Sequence, residues 1–213
     1  MWEIALPAFV TFFVIIDPIG IVPIFGSLTA GTSPQHQRLM AFKSVFIGAC
    51  VLLFFALMGK TFLSAMGITI DAFKASGGIL LFLIAIEMIF EKRTERREAR
   101  AEALQEEMDD ADPEYEDVSI FPLAVPMVAG PGSIATTMLA MSSNEGNVLG
   151  QMAVMGALGA TLIITVLFFL IAGPLVNKMG PSLTTALTRI LGIVLAAMAM
   201  QYIIDGVLGV VLN

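Results

Sequence analysis

Six long apolar stretches constrain the fold of this sequence more than any other feature. A helix needs about 20 apolar residues to cross the hydrocarbon core of a bilayer. Stretches close to that length lie at 4–28, 41–58, 73–90, 119–141, 151–172 and 184–204. Membrane-barrel strands would instead alternate apolar and polar residues, and no stretch does so. The sequence therefore predicts an all-α membrane protein with six transmembrane helices.

The charged residues are few and are concentrated in one segment. Only 14% of the chain is charged, against about 25% in an ordinary soluble domain. Residues 91–117 hold twelve of the eighteen acids and five of the eleven bases, which gives this segment a net charge of −7, the formal charge of the whole chain. The acidity therefore belongs to one loop, and it does not indicate a nucleic-acid-binding surface.

The distribution of bases between the loops predicts the orientation in the membrane. Cytoplasmic loops carry an excess of lysine and arginine. The loops after helices one, three and five contain Arg38, Lys43, Lys92, Arg93, Arg96, Arg97, Arg100 and Lys178. The opposite side carries only Lys60 and Lys74. Loop 91–118 should thus be cytoplasmic, with both termini outside.

The chain divides into two similar halves joined by the charged loop. Lys74 precedes Gly77 by three positions in helix three, and Arg189 precedes Gly192 in the same way in helix six. Because each half has three helices, the second half enters the membrane from the opposite side. We expect a 3+3 inverted repeat, with residues 1–90 and 119–213 as the repeats. Helix three is expected to continue into loop 91–118 before an acidic, solvated linker.

Proline and glycine clusters predict that helices one and four are broken in mid-membrane. Helix one contains Asp17, Pro18, Gly20 and Pro23, and Asp17 and Pro18 suit the N-cap and first residue of a second half-helix. Helix four contains a second cluster from Pro122 to Ser133, in which Gly130 and Pro131 can begin the second half-helix. Kinks packed against neighbouring helices are the alternative interpretation.

Two such breaks could bind a small zwitterion. Free N–H groups at the start of a half-helix suit a carboxylate, and free carbonyls suit an ammonium group. The predicted substrate-binding residues are Asp17, Pro18, Ile19, Gly20, Gly130, Pro131, Gly132 and Ser133. An acid at the depth of Asp17 is a functional candidate. It could cap the half-helix, bind the substrate ammonium or carry a coupling proton, and the second half has no matching acid.

The sequence offers no catalytic chemistry. The single cysteine, Cys50, and the single histidine, His36, lie far apart, and neither an HExxH nor a GxSxG motif occurs. The sequence also lacks a phosphate-binding GxxxxGK[ST] loop. We therefore predict no enzyme activity, no catalytic residue, no metal and no cofactor. A secondary transporter is favoured, and a small-solute channel is the alternative.

The two broken-helix runs also resemble a known family. FFVIIDPIGIVPIFGSLT (12–29) and FPLAVPMVAGPGSIATTM (121–138) resemble the MarC family of prokaryotic inner-membrane proteins, and the resemblance covers essentially the whole chain. Some members, called SnatA, are described as transporters of small neutral amino acids such as glycine and alanine. The resemblance implies the same function here, in the inner membrane. It leaves open proton coupling, a homo-oligomer and the export of another metabolite.

Overall fold

The structure is a computed structural model that describes residues 1–93, 95–99, 103 and 117–212. For residues 176–179, 181 and 212 it describes the backbone only. Most of the acidic part of loop 91–118, including the predicted linker, lies outside the described residues.

The described chain is helical and has enough apolar length for five to six membrane spans. Its helices are α1 (Trp2–Ile16), α2 (Pro18–Leu28), α3 (Pro34–Ala65), α4 (Ile70–Ile89), the π-helical segment π1 (Ser119–Val128), α5 (Pro131–Ser143), α6 (Val148–Leu170) and α7 (Ala172–Leu212). α1 and α2 together form one candidate span. π1 and α5 form another, with a bend of 52° between them. The all-helical class with up to six spans is confirmed.

Several helices extend beyond the apolar stretches from which they were predicted. α3 begins at Pro34, where the Ser33 side chain caps the first turn by accepting from the His36 N–H. Proline suits this position because the first helical N–H has no partner within the helix. Local capping therefore adds polar turns to a span that hydropathy alone places at 41–58. α7 contains one non-helical residue, Gly180, and its candidate span runs over Ser182–Val211.

The prediction that helix three continues into the charged loop is wrong. α4 ends at Ile89, and Glu91 has a φ of 64°, in the left-handed region that interrupts a helix. Helical backbone resumes at residues 92–93 and 95–99. After this turn, Arg93 and Arg97 contact α1 and the Asp17 junction instead of extending away from the bundle.

Glycines such as Gly78 and Gly192 allow α4 and α7 to pack closely along their length. A Cβ atom on Gly78 would lie 2.8 Å from the Ala199 carbonyl oxygen, and one on Gly192 would lie 3.1 Å from the Ala85 carbonyl oxygen. Contacts early in α4 are made late in α7, so the two helices run antiparallel. Small residues allow helix backbones to approach in this way within a membrane.

Substituting Gly206 tests this contact. A Cβ there would lie 2.4 Å from the Ala75 backbone nitrogen, so Gly206→Ala should separate α4 from α7 and cost about 1–3 kcal/mol, as overpacking does. Gly156 in α6 has nothing within 4 Å of its added Cβ, so Gly156→Ala should be neutral or stabilising. Thermal unfolding of both variants in detergent measures the difference; equal midpoints would contradict the close contact.

Two ion pairs mark opposite ends of the bundle. Lys43 of α3 pairs with Asp117, which precedes π1, and Lys60 of α3 pairs with Glu145, which follows α5. The two lysines are separated by 17 residues, or about 25 Å of helix. Partial burial opposes ionisation of Asp117, but hydrogen bonds from Lys43 and Ser119 outweigh it and lower the pKa of Asp117. The charged loop thus ends at the Lys43 end, and Glu3 of α1 and Asp205 of α7 share a cavity with Asn144 at the Lys60 end.

Candidate functional site

Asp17 forms the junction between α1 and α2. Its backbone is left-handed (φ 57°, ψ 62°), and it is both the C-cap of α1 and the N-cap of α2. The Asp17 Oδ1 atom accepts a hydrogen bond of 3.1 Å from the Gly20 N–H. Pro18 follows as the first residue of α2. α2 therefore starts at Pro18 with the Asp17 carboxylate as its cap, and a break of helix one in mid-membrane stays a prediction.

Two arginines that follow the turn at Glu91, Arg93 and Arg97, contact this junction. The Arg97 Nη1 atom lies 3.1 Å from Asp17 Oδ2, and these side chains are 12% and 1% exposed. The Arg93 Nη2 atom donates to the Ile15 carbonyl oxygen at 2.6 Å, near the end of α1. This carbonyl lies where the helical hydrogen-bond ladder of α1 is interrupted. The arginines thus satisfy both a buried carboxylate and a backbone acceptor.

This role of Arg93 and Arg97 was not predicted from the sequence. From sequence, both residues indicated only the orientation of the chain, and they were expected to lie on a cytoplasmic extension of helix three. Two signals were available: a buried acid within a membrane helix requires a partner, and residues four apart share one face of a helix. Neither signal identifies which loop would supply the partner.

The second junction lies between π1 and α5. Phe121 and Val125 have extended backbone dihedrals within π1, and α5 begins at Pro131 with Gly130 as its N-cap. A Cβ on Gly130 would lie 2.4 Å from the Pro126 carbonyl oxygen, so only glycine fits without movement of the backbone. The predicted start of a helix at Gly130-Pro131 is confirmed. Unlike Asp17, Gly130 provides no side-chain cap.

The structure brings the two junctions together. A Cβ on Gly132 would lie 3.1 Å from Ile15 Cγ1, so the first turn of α5 packs against the last turn of α1. Six of the eight predicted site residues are buried: Asp17, Pro18, Gly20, Gly130, Gly132 and Ser133. Ile19 is half-buried and Pro131 is exposed. Their binding of a substrate stays a prediction.

A small cavity lies beside the junctions at the loop end of the bundle. Its volume is about 120 Å³. Its lining consists of Glu87, Arg93, Arg96, Arg97, Pro126 and Met127. Arg96 pairs with Glu87, so charges of both signs border this space. Pro126 and Met127 belong to π1, so the cavity lies between the three arginines and the second junction.

A larger cavity lies toward the other end of the bundle. Its volume is about 460 Å³, and α1, α5, α6 and α7 surround it. Its polar lining includes Glu3, Thr11, Thr136, Ser143, Asn144, Gln201, Tyr202 and Asp205. Thr11 lies six residues before Asp17, and Thr136 lies one helical turn beyond Gly132. The two cavities therefore approach the joined junctions from opposite directions.

Known proteins resemble the chain over nearly its full length. A UPF0056 membrane protein of Methanocaldococcus jannaschii is 37% identical over 206 residues, which cover 96% of each chain. UPF0056 membrane protein YvbG of Bacillus subtilis is 31% identical, with 98% of this chain and 96% of the relative covered. UPF0056 inner membrane protein YhgN of Escherichia coli is 33% identical, with 95% of each chain covered.

No solved structure matches the chain. Residues 2–211 match the model of the MarC family of integral membrane proteins. This match covers almost the entire sequence, including both helix junctions and every described helix except the last residue of α7. The chain belongs to the MarC family of integral membrane proteins.

Proposed function

We propose that the protein is a secondary transporter of small neutral amino acids, with glycine and alanine as representative substrates. The observation that carries the proposal is the contact between the two helix junctions, where Gly132 of α5 packs against Ile15 of α1. Paired interruptions of helices at membrane depth are typical of transporter substrate sites. Irregular backbone at that depth persists only where protein or a cavity satisfies it.

The two junctions differ chemically, and the difference suggests which one receives the substrate carboxylate. The α2 N-terminus is capped by the Asp17 carboxylate, which takes the place that a substrate carboxylate would occupy. The α5 N-terminus begins with Gly130 and has no side-chain cap. Anions bind readily at such N-termini. We therefore assign the substrate carboxylate to the turn Gly130–Ser133, and the ammonium to carbonyls and acids nearby.

Alternating access would use the two ends of the bundle in turn. At the loop end, Arg97 pairs with Asp17 and Arg93 binds the Ile15 carbonyl, so these contacts close the path to that side. At the other end, the larger cavity reaches Thr11 and Thr136. Rocking one three-helix half against the other would open the loop end and close the larger cavity.

The proposed transporter is a 3+3 inverted repeat in the inner membrane, with helices one and four discontinuous. The antiparallel packing of α4 and α7, the third helix of each half, supports this symmetry. The excess of bases in loop 91–118 supports a cytoplasmic location for it and outward termini. The Escherichia coli relative is named as an inner membrane protein, which supports the same membrane here.

Uptake by purified protein in proteoliposomes tests the proposal. We expect saturable uptake of labelled glycine and alanine, with competition by the unlabelled amino acids and counterflow. An imposed pH gradient should change the rate if protons are coupled. Non-saturable uptake without counterflow would favour a channel, and no uptake by folded protein would contradict the amino-acid assignment.

A further inference from the structure

The larger cavity lies outside the predicted substrate site, because none of the eight predicted residues lines it. Its buried lining residues mark a closed deep end: Thr11, Phe12, Thr136, Ala140 and Val154. Its exposed lining residues mark an open mouth: Glu3, Pro7, Ser143, Gln201 and Asp205. The cavity thus leads from the surface near the termini toward the helix junctions, and its volume is in the range of small-molecule sites.

The deep end contains a threonine hydroxyl that lacks a hydrogen-bond partner. Five other buried threonines among the described residues donate to the carbonyl oxygen four residues earlier: Thr11, Thr29, Thr137, Thr161 and Thr165. Thr136 is completely buried, but its Oγ1 atom has no partner among the described residues. Thr188 is the other such exception, and it does not line the cavity. A buried hydroxyl without a partner is unfavourable unless a ligand or water completes it.

Thr11 provides a second hydroxyl in the lining of the same cavity. Its Oγ1 atom donates to the Pro7 carbonyl oxygen at 2.7 Å, so its hydrogen is already committed. A hydroxyl oxygen can also accept hydrogen bonds through its lone pairs. Thr11 Oγ1 therefore suits a ligand that donates hydrogen bonds, as an ammonium group does.

The charge at the mouth selects the sign of the solute. The acids of the described lining are Glu3 and Asp205, and this lining includes no lysine, arginine or histidine. The Gln201 side chain donates to Asp205 Oδ1 at 2.7 Å and holds that carboxylate in place. Acids at the mouth of a cleft with low-dielectric walls concentrate cations there. Apolar walls between mouth and deep end favour a compact solute.

We propose that this cavity is the binding site for the ammonium group of a small primary-amine solute entering from the side of the termini. Glu3 and Asp205 attract the ammonium, and the hydroxyls of Thr11 and Thr136 receive it at the deep end. This inference rests on the proposed transport function, because an amino acid bound there would have its carboxylate directed toward the uncapped start of α5, one turn from Thr136.

Two threonine variants compare the cavity hydroxyl with an ordinary buried one. Thr136→Val removes the unpartnered hydroxyl and should raise the KM for glycine about tenfold, the value of one hydrogen bond, without lowering Vmax or the unfolding temperature. Thr161→Val is the control, because the Thr161 hydroxyl bonds within α6 and lies outside the cavity. It should leave KM unchanged. An unchanged KM in Thr136→Val would overturn the role of Thr136.

Thiol protection tests the site independently of transport. Cys50 is exposed, so the background is Cys50→Ser, with Ala140→Cys in the cavity lining and Ala157→Cys as a similarly buried control outside it. Glycine and ethylamine should both slow maleimide labelling at position 140 in detergent-solubilised protein, whereas acetate should not. Labelling at position 157 should be unaffected by all three compounds.

The outcomes separate the cavity site from the proposed function. Protection by glycine and ethylamine without glycine uptake would retain the site and overturn amino-acid transport. Glycine uptake without any protection at position 140 would retain transport and overturn the site. Protection only by long-chain alkyl compounds, or no labelling at position 140, would also overturn it, because the cavity would then hold a lipid tail or be closed to solutes.

Discussion

Asp17→Asn is expected to abolish accumulation of glycine against a gradient and to destabilise the protein. Asparagine tolerates the left-handed backbone at this position, and its side-chain oxygen can still accept from the Gly20 N–H. The substitution therefore keeps the start of α2 and removes only the charge. Arg97 is 12% exposed and would lose the carboxylate that it contacts at 3.1 Å.

The cost of this substitution comes from the arginine that remains. Removing one partner of a buried ion pair typically costs about 3–5 kcal/mol, because the other charge stays buried without compensation. Arg97→Gln in addition to Asp17→Asn removes that charge. The double variant should recover most of the lost stability, whereas accumulation of glycine should stay lost if the Asp17 charge carries the coupling.

A double-mutant cycle tests this pairing. Thermal unfolding in detergent and uptake in proteoliposomes are measured for Asp17→Asn, for Arg97→Gln and for the double variant. A double variant as unstable as the sum of the singles would falsify the direct pairing of Asp17 with Arg97. Wild-type accumulation and wild-type dependence on the pH gradient in Asp17→Asn would remove Asp17 from the coupling mechanism. Full activity of the double variant would reduce the pair to a structural contact.

The elements that sequence predicts well here depend on local chemistry. Hydropathy gives the approximate spans because a bilayer requires an apolar helix of fixed length. The helix starts at Pro18 and Pro131 follow from Asp-Pro and Gly-Pro pairs, in which the cap and the first helical residue are adjacent. Each of these features involves only neighbouring residues, so a single sequence contains the information.

The contacts that sequence fails to predict join distant parts of the chain. Arg97 lies eighty residues after Asp17, and nothing in the charged run distinguishes it from the exposed Arg96. The chain turns toward α1 at Glu91, whose backbone is left-handed. Glycine or asparagine at this position would have indicated such a turn, but glutamate does not. The larger cavity depends on four helices meeting at one end. Composition indicated only that the charged run lies outside the membrane, because it averages over residues with different burial.

Gly20→Ala separates the position of the Asp17 carboxylate from its charge. A Cβ atom on Gly20 would lie 2.2 Å from Asp17 Oδ2 and 2.8 Å from Asp17 Cγ, so the carboxylate must leave its present position. Both of its bonds would be lost, the one from the Gly20 N–H and the one from Arg97. The charge remains in the protein, but it no longer caps α2 or closes the loop end.

We expect Gly20→Ala to reduce glycine uptake by at least about tenfold, because the two lost hydrogen bonds are worth more than 1.4 kcal/mol together. Gly159→Ala is the matched control, since nothing lies within 4 Å of a Cβ added there, and it should retain uptake.

Comparison of Gly20→Ala with Asp17→Asn then shows whether the position or the charge of the Asp17 carboxylate matters for transport. Loss in Gly20→Ala alone would mean that the cap matters, and loss in Asp17→Asn alone would mean that the charge matters. Loss in both means that transport requires a charged carboxylate held at the start of α2, and wild-type uptake in both would remove this junction from the transport path.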